Sequence, residues 1–406
     1  MLMGMPEAAS LGGPAACEPP FAAALRRLGV EVCEETYVYG EQLGGTTLRQ
    51  RATRVLRAAR RLRRRLRAEP FDVVHLNSSF DARALLRDVT TLRLIRRGTR
   101  ARFFIKFHGS DAELLRTGDP ILRRFVRRVL ERAHGIGVLS TEERDNFVRA
   151  GVNERRVFVV KNVVVTGEEE SATNADGVNV DEMNADGASA ASAVGAAAND
   201  LRARLDVAAD VPLLLFIARF IPAKGLLDVL GACALLRERG ERFRLLCVGD
   251  GPARAEAEAE VARLRLRPYV RFFGYVPEAE TRAFYQGSTA LVFPTYHYEG
   301  FPMVIFKALA AGLPVVTTQI RAARDYLREP DNCLWVAPRA PEELADKLAR
   351  LLRDAPLRAQ MARNNRALAA EFNADAVARE YLAVYNQLRS QESEARSQNK
   401  LTTTDS

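Results

Sequence analysis

An α/β fold of two Rossmann-like domains, each with a parallel sheet covered by helices, is the architecture this sequence predicts. Three observations carry that prediction. Short β-branched runs alternate with longer stretches whose apolar residues recur at helical spacing. The alternation breaks once, over 166–200, and then restarts. The chain, at 406 residues, is too long for one ordinary core.

Taken in order, strands are expected at Val30–Val32, Phe71–Leu76, Arg102–Phe107, Ile136–Leu139 and Val157–Val160. Helical stretches lie between them at Phe21–Leu28, Thr47–Ala68, Asp81–Arg97, Ile121–Ala133 and Thr141–Ala150. Residues 1–165 therefore read as an N-terminal domain. The segment 166–200 is rich in Glu, Asn, Asp, Gly, Ala and Ser, and cannot bury enough apolar surface to offset the entropy of ordering it, so it reads as a flexible acidic linker. Alternation resumes with strands at Leu213–Ile217, Phe243–Gly249, Val270–Phe273, Ala290–Phe293 and Val315–Thr317. The helices that separate them are expected over Leu226–Arg239, Ala253–Leu264, Glu278–Gln286 and Val304–Ala311. A second domain thus spans 201–375, a final helix at 376–389 is expected to pack back toward the first domain, and 390–406 reads as a disordered tail. In open α/β sheets ligands bind beyond the carboxyl ends of the strands, so two facing domains imply a deep cleft between them.

Composition excludes several classes. The hydrophobic fraction is 48%, and no run approaches the roughly 18 apolar residues of a membrane span. No basic segment followed by an apolar one opens the chain, so a cytoplasmic location is expected. Five scattered cysteines and four dispersed histidines suggest neither a disulfide framework nor a metal cage, and no metal or cofactor is predicted. The net charge of +9 is uneven: residues 1–165 hold 31 Lys and Arg against 18 Asp and Glu, while 166–200 hold eight acids and no base. No recognised nucleic-acid motif accompanies the charge, so nucleic acid is not an expected partner.

Two segments carry the chemistry. The strand Leu213–Ile217 runs into Arg219 and Lys224-Gly225 and then a helix. Two cations beside a helix N-terminus make a natural diphosphate site, although the pair also reads as a solvated basic turn. In the second, Phe293 is followed by a turn containing Glu299 and Gly300, and then by a helix from about Met303. Glu299 is placed to accept hydrogen bonds from a polyol, or to stabilise the helix dipole.

These elements, with Gly12-Gly13, Phe107-His108-Gly109-Ser110-Asp111, Lys161-Asn162, Val248-Gly249-Asp250-Gly251-Pro252 and Phe273-Gly274, resemble the retaining glycosyltransferases of family 4. The resemblance covers most of the chain and implies the GT-B fold. It implies transfer of a sugar from a nucleotide-diphosphate donor, without a metal, to a glycan, lipid-linked or small-molecule acceptor. Arg219 and Lys224 would stabilise the departing diphosphate. Glu299 would hold the transferred sugar with backbone amides of Gly300, Phe301, Met303 and Val304. Gly12 and Gly13 would let backbone approach the phosphates or the acceptor. Gly249 and Asp250 would line the donor site. His108 would lie near the reacting face, although a histidine before glycine is also often structural. The acceptor hydroxyl would attack the face from which the leaving group departs, so no protein nucleophile is required.

One residue departs from the family pattern. A second glutamate, expected eight positions after Glu299 to bind ribose hydroxyls, is replaced by Lys307, a donor where an acceptor is expected. Lys307→Glu is therefore expected to strengthen donor binding, by about 1–3 kcal/mol. The lysine standing where the family has that glutamate has an alternative reading, a homologue that has lost turnover and is left as a nucleotide-sugar-binding scaffold.

The stretch 48–66 interleaves ten arginines over 49–67 with Leu48, Ala52, Val55, Leu56, Ala59, Leu62 and Leu66 at three- and four-residue steps. Such a helix either docks its apolar stripe on the sheet or rests on anionic lipid, which would hold the protein at the inner face of a membrane.

Overall fold

The computed structural model describes residues 1–6, 13–37, 47–165, 201–203, 205 and 207–404, so the acidic segment 166–200 and Gly12 lie outside the described residues. The chain divides into two compact units. The first comprises Met1–Val165, Tyr298–Phe301 and Phe372–Ser406. The second takes the described residues within Thr166–His297 together with Pro302–Glu371.

In the first unit the order is β1 (Leu2–Met5), α1 (Gly13–Arg27), β2 (Cys33–Thr36), α2 (Leu48–Ala68), β3 (Val73–Phe80) and α3 (Ala82–Ile95). It continues with β4 (Arg102–Ser110), α4 (Ala112–Leu115), α5 (Pro120–Arg132), β5 (Gly135–Val138), α6 (Thr141–Arg149) and β6 (Val157–Val159). The six strands form one parallel sheet ordered β2-β1-β3-β4-β5-β6. Phe103, Ile105 and Phe107 of β4 point into one buried cluster with Leu76, Phe80 and Leu92. A central parallel strand covered on both faces needs that apolar density.

Four boundaries differ from the sequence reading. Val30 belongs to the end of α1: Gly29 takes φ +83°, Val30 N–H bonds Leu25 O at 3.0 Å, and β2 starts only at Cys33. Strands β3 and β4 run past their last β-branched residues because Asn77, Ser78 and Ser110 are buried and hydrogen-bonded. At the other end of the chain the helix Ala374–Thr404 continues through positions read as a disordered tail. Residues 390–404 contain no Gly or Pro and are rich in good helix formers. Inside the first unit this helix is anchored by Tyr381, whose hydroxyl donates to Lys161 O at 3.2 Å, and by a Lys161–Glu380 ion pair at 2.7 Å.

The second unit repeats the plan with β7 (Leu213–Ile217), β8 (Arg244–Val248), β9 (Val270–Gly274), β10 (Ala290–Phe293), β11 (Val315–Thr317) and β12 (Cys333–Trp335). The sheet is again parallel, in the order β12-β11-β10-β7-β8-β9. Every residue of β7 and β10 is buried, as the continuous apolar runs require. Among the described residues no helix is long and apolar enough to cross a membrane.

Candidate functional site

Each sheet has a topological switch point, the crevice where the strand order reverses and where α/β folds hold ligands. In the second unit it lies between β7 and β10, and the two loops leaving those strands are bonded to each other. Tyr296 N–H donates to Ala223 O at 2.9 Å, and the Tyr296 hydroxyl to Pro222 O at 2.9 Å. A third loop joins them from β8. Phe220 N–H bonds Asp250 O at 2.8 Å, and Gly249 sits so close that a Cβ there would meet Ala218 O at 1.9 Å. Gly249, at φ +127°, is thus required by backbone packing alone, whatever the loop binds.

The loop after β7 carries the two predicted cations. Arg219 is exposed, whereas Lys224 ends a short 3-10 turn, Pro222–Lys224, with its side chain buried and its ammonium 5.4 Å from the centre of the Phe293 ring. Burial lowers the Lys224 pKa to about 7. His297 reports the local field: its pKa is lowered by burial and then by Lys224, Arg321 and Arg219. All three cations are thus close enough to act on His297, an exposed residue of the loop that leaves β10. Arg321 is buried, and its backbone is held at φ +32°, a region that side-chain-bearing residues rarely occupy. Neither Arg321 nor His297 was picked out from the sequence, because a lone Arg after Thr317-Thr318-Gln319-Ile320 matches no local motif.

Phe301 groups with the first unit, as do half-buried Glu299 and buried Gly300; Met303 and Val304, both partly buried, open the helix Met303–Ala310 in the second. Phe301 packs on Phe372 with ring centres 5.7 Å apart. A Cβ at Gly300 would meet the Glu143 carboxylate at 3.0 Å.

The first unit has its own polar centre at the β1–β3 switch point. His108 Nε2 lies 2.9 Å from Asn77 Oδ1 and 3.4 Å from Glu18 Oε1, and Lys106 Nζ lies 2.8 Å from the same Glu18 oxygen. Asn77 in turn donates to Gly4 O at 3.2 Å and meets His75 Nε2 at 3.3 Å, while His75 Nδ1 meets the Tyr385 hydroxyl at 2.5 Å. Burial tends to raise the Glu18 pKa, but the Lys106 ammonium and then His108 overcome it and hold the carboxyl well below its usual range. Burial, with Lys106, lowers the His108 pKa to about 4, so its ring is neutral near pH 7. A neutral ring facing the Asn77 carbonyl oxygen donates from Nε2 and presents Nδ1 as an acceptor. Cys17, Glu18 and His108 place ligand-type atoms within 4.8 Å of one another, but burial and Glu18 push the Cys17 thiol up, and Lys106 already answers the carboxylate.

Comparison with known proteins gives this geometry a context. Residues 198–368 match the family described as Glycosyl transferases group 1, and residues 21–168 match Glycosyltransferase Family 4. The chain belongs to glycosyltransferase family 4. Over 193 residues it is 36% identical to the D-inositol 3-phosphate glycosyltransferase of Frankia alni, covering 45% of this chain and 47% of that protein. Over 182 residues it is 32% identical to the 2-deoxystreptamine glucosyltransferase of Streptomyces kanamyceticus, again 45% and 47%. The match thus spans about half the length of these curated relatives. Among solved structures, Anabaena HepE in complex with UDP and glucose superimposes with a TM-score of 0.68 at 18% identity, over 95% of this chain and 99% of that one. A glycosyltransferase from Rickettsia africae gives 0.69 at 17% identity, over 95% and 97%. These likenesses show the GT-B fold.

In this family 4 chain, Lys307 is not where the sequence reading left it. It forms an ion pair with Glu278, a residue no motif singled out, on the turn before the helix Thr281–Gly287. The expected position of the second glutamate is thus a lysine that holds a carboxylate brought in from another segment. Asp250, the other acidic candidate, accepts from Gly251 N–H at 2.7 Å and pairs with Arg254 at 3.0 Å. Gly13 begins α1, directly after the undescribed stretch that holds Gly12.

Proposed function

We propose that this protein is a retaining glycosyltransferase that moves a sugar from a nucleotide-diphosphate donor to a hydroxyl of a glycan, lipid-linked or small-molecule acceptor. The observation that carries the reading is the pair of cations, exposed Arg219 and buried Lys224, on the loop that leaves β7 at the β7–β10 crevice, with the Lys224 ammonium 5.4 Å from the Phe293 ring of β10. That pair suits a leaving diphosphate, and it performs the charge compensation for which other enzymes use a metal ion. In the reaction the bond between the anomeric carbon and the diphosphate oxygen breaks, with its electron pair going to that oxygen. The acceptor oxygen bonds the same face of the carbon, and its proton passes to the leaving phosphate. Glu299 holds sugar hydroxyls, and His108, whose ring is neutral near pH 7, is the side chain we assign to the sugar's reacting centre. UDP-glucose is the first donor to test, because UDP and glucose occupy the HepE complex. We place the reaction in the cytoplasm, with the acceptor at the inner membrane face when it is lipid-linked.

The test is release of nucleoside diphosphate from UDP-, GDP-, ADP- and dTDP-sugars in excess EDTA, with NMR of the product's anomeric configuration. Turnover that vanishes in EDTA and returns with Mg²⁺ overturns the metal-free reading, and an inverted product overturns retention. Donor binding without any transfer would favour a scaffold.

A further inference from the structure

Helices α3 and α5 pack side by side on the first sheet and flank an open cavity of about 550 Å³ near their C-terminal ends. Its walls carry Arg93, Arg96, Arg97, Arg128 and Arg132 against a single acid, Glu131, a balance of +4. Val89 and Leu92 complete the lining with apolar surface. The acid does not neutralise the wall, because the Glu131 carboxylate turns to Arg127 at 3.3 Å. Among the described residues no carboxylate pairs with any of the five arginines. Their recorded partners are main-chain oxygens: Glu131 O for Arg96 at 3.5 Å and Arg128 O for Arg132 at 3.0 Å.

Part of this charge has an ordinary explanation, since basic residues near a helix C-terminus stabilise the dipole by about 0.3–1 kcal/mol each. Like charges one turn apart, such as Arg128 and Arg132, cost a comparable amount, so the cluster as a whole gains little from that source. The repulsion is visible. Burial, Arg132 and Arg102 hold Arg96 below its usual pKa, and Arg124, burial, Arg132, Arg93 and Arg127 do the same to Arg128. Guanidinium groups cannot relieve this by losing protons near neutral pH. A bound anion would.

We propose that this cavity is a binding site for a phosphate monoester, with guanidinium forks from α3 and α5 gripping the phosphate and the carbon atoms attached to it lying over the floor formed by nearly buried Val89. Guanidinium matches phosphate geometry in bidentate fashion, and 550 Å³ holds more than a bare phosphate. The site is separate from the polar centre at the β1–β3 switch point of the same unit. Arg96 and Arg97 precede β4, and Arg132 precedes β5, so the cavity sits at the amino ends of the strands. Helix α2, with its many arginines, covers the same α3 and adds long-range attraction for anions. Such a monoester is presented either by a soluble molecule or by the headgroup of an anionic lipid.

The test uses the full chain with two probes, glycerol 3-phosphate by calorimetry and flotation with phosphatidylcholine vesicles containing phosphatidic acid. Arg96→Gln/Arg128→Gln is compared with Arg57→Gln/Arg64→Gln on the exposed side of α2, which removes the same charge. We expect the pocket variant to lose at least about tenfold in affinity for one or both probes, and the control to lose less than about twofold. Arg93→Gln/Arg97→Gln, at exposed positions, serves as a second pocket variant should the first unfold. Binding of glycerol 3-phosphate identifies a soluble ligand, and binding of vesicles alone identifies a headgroup. The proposal is overturned if the wild type binds neither probe, if pocket and control variants lose equally, or if Arg219→Ala/Lys224→Ala abolishes binding, which would assign it to the diphosphate site.

Discussion

Lys307 and Glu278 form an ion pair across the second unit, joining the helix Met303–Ala310 to the turn that precedes Thr281–Gly287. Lys307 is largely shielded and Glu278 mostly exposed, so the carboxylate faces outward on a lysine tether. This reverses the sign of the expectation drawn from sequence, in which a glutamate at 307 restores a missing acceptor. A carboxylate at 307 would instead stand against Glu278, and like charges in contact are unfavourable. We predict that Lys307→Glu weakens nucleoside diphosphate binding by about threefold to tenfold, and that the charge swap Glu278→Lys/Lys307→Glu recovers most of it. Calorimetry on the two variants decides, and tighter binding by the single variant would return Glu278 to the role of a bystander.

Stability should fall on mild acidification. His75 and His108 are buried and neutral, with pKa values of about 4 in the folded chain against 6.5 for an exposed ring. Between those values the unfolded chain binds protons that the folded one refuses. The stabilisation is therefore complete above pH 6.5 and is lost as the pH falls toward 4. Burial also lowers the pKa of His134 to about 4, and three such groups give a loss of about 3 kcal/mol from pH 6.5 to 5.5. Guanidinium unfolding at both values measures it, and His108→Asn should remove about a third of the difference. A pH-independent midpoint over this window would show that the rings are solvated.

How much of this was legible in the sequence depends on the distance over which each signal acts. The apolar runs Leu213–Ile217 and Ala290–Phe293 betray buried parallel strands by themselves, because burial of both faces leaves no polar position. Arg219 and Lys224 are likewise readable, being five residues apart at one strand end. Glu18, Lys106 and Asn77 were not, although Lys106 lies two residues before His108 and so shares its face of β4. Their meaning arises only when β3, β4 and α1 meet, a contact between residues 88 positions apart in the case of Lys106 and Glu18. Glu278 escaped for the same reason, 29 positions from its lysine.

Gly249 should tolerate no side chain. Its φ of +127° disfavours any L-residue, and a Cβ would stand 1.9 Å from Ala218 O, a backbone atom that cannot rotate away. We predict that Gly249→Ala costs about 2–4 kcal/mol of stability. Gly240, at φ +72° with nothing within 4 Å of a Cβ, is the control, and Gly240→Ala should cost about 1 kcal/mol. Equal losses in urea unfolding would mean that the Val248–Gly251 loop relaxes around the added methyl.

Lys224 ties ligand binding to pH. In the free protein burial holds its pKa at about 7, against 10.5 in water, so above neutrality the buried amine is mostly uncharged. The sign for stability follows. The unfolded lysine keeps its proton where the folded one does not, so this group's contribution to stability is least below pH 7 and grows as the pH rises toward 10.5. Binding runs the other way. A diphosphate placed beside Lys224 favours the ammonium, so the bound pKa exceeds the free one and the complex takes up a proton above pH 7. We predict that nucleoside diphosphate affinity falls severalfold, up to about tenfold, for each unit between pH 7.5 and 9. Calorimetry at pH 8 in buffers of different ionisation enthalpy should show uptake of close to one proton, and Lys224→Arg, charged throughout, should flatten the profile. Binding that is indifferent to pH over this range, with no proton taken up, would place Lys224 outside the diphosphate site and leave Arg219 and Arg321 to carry it.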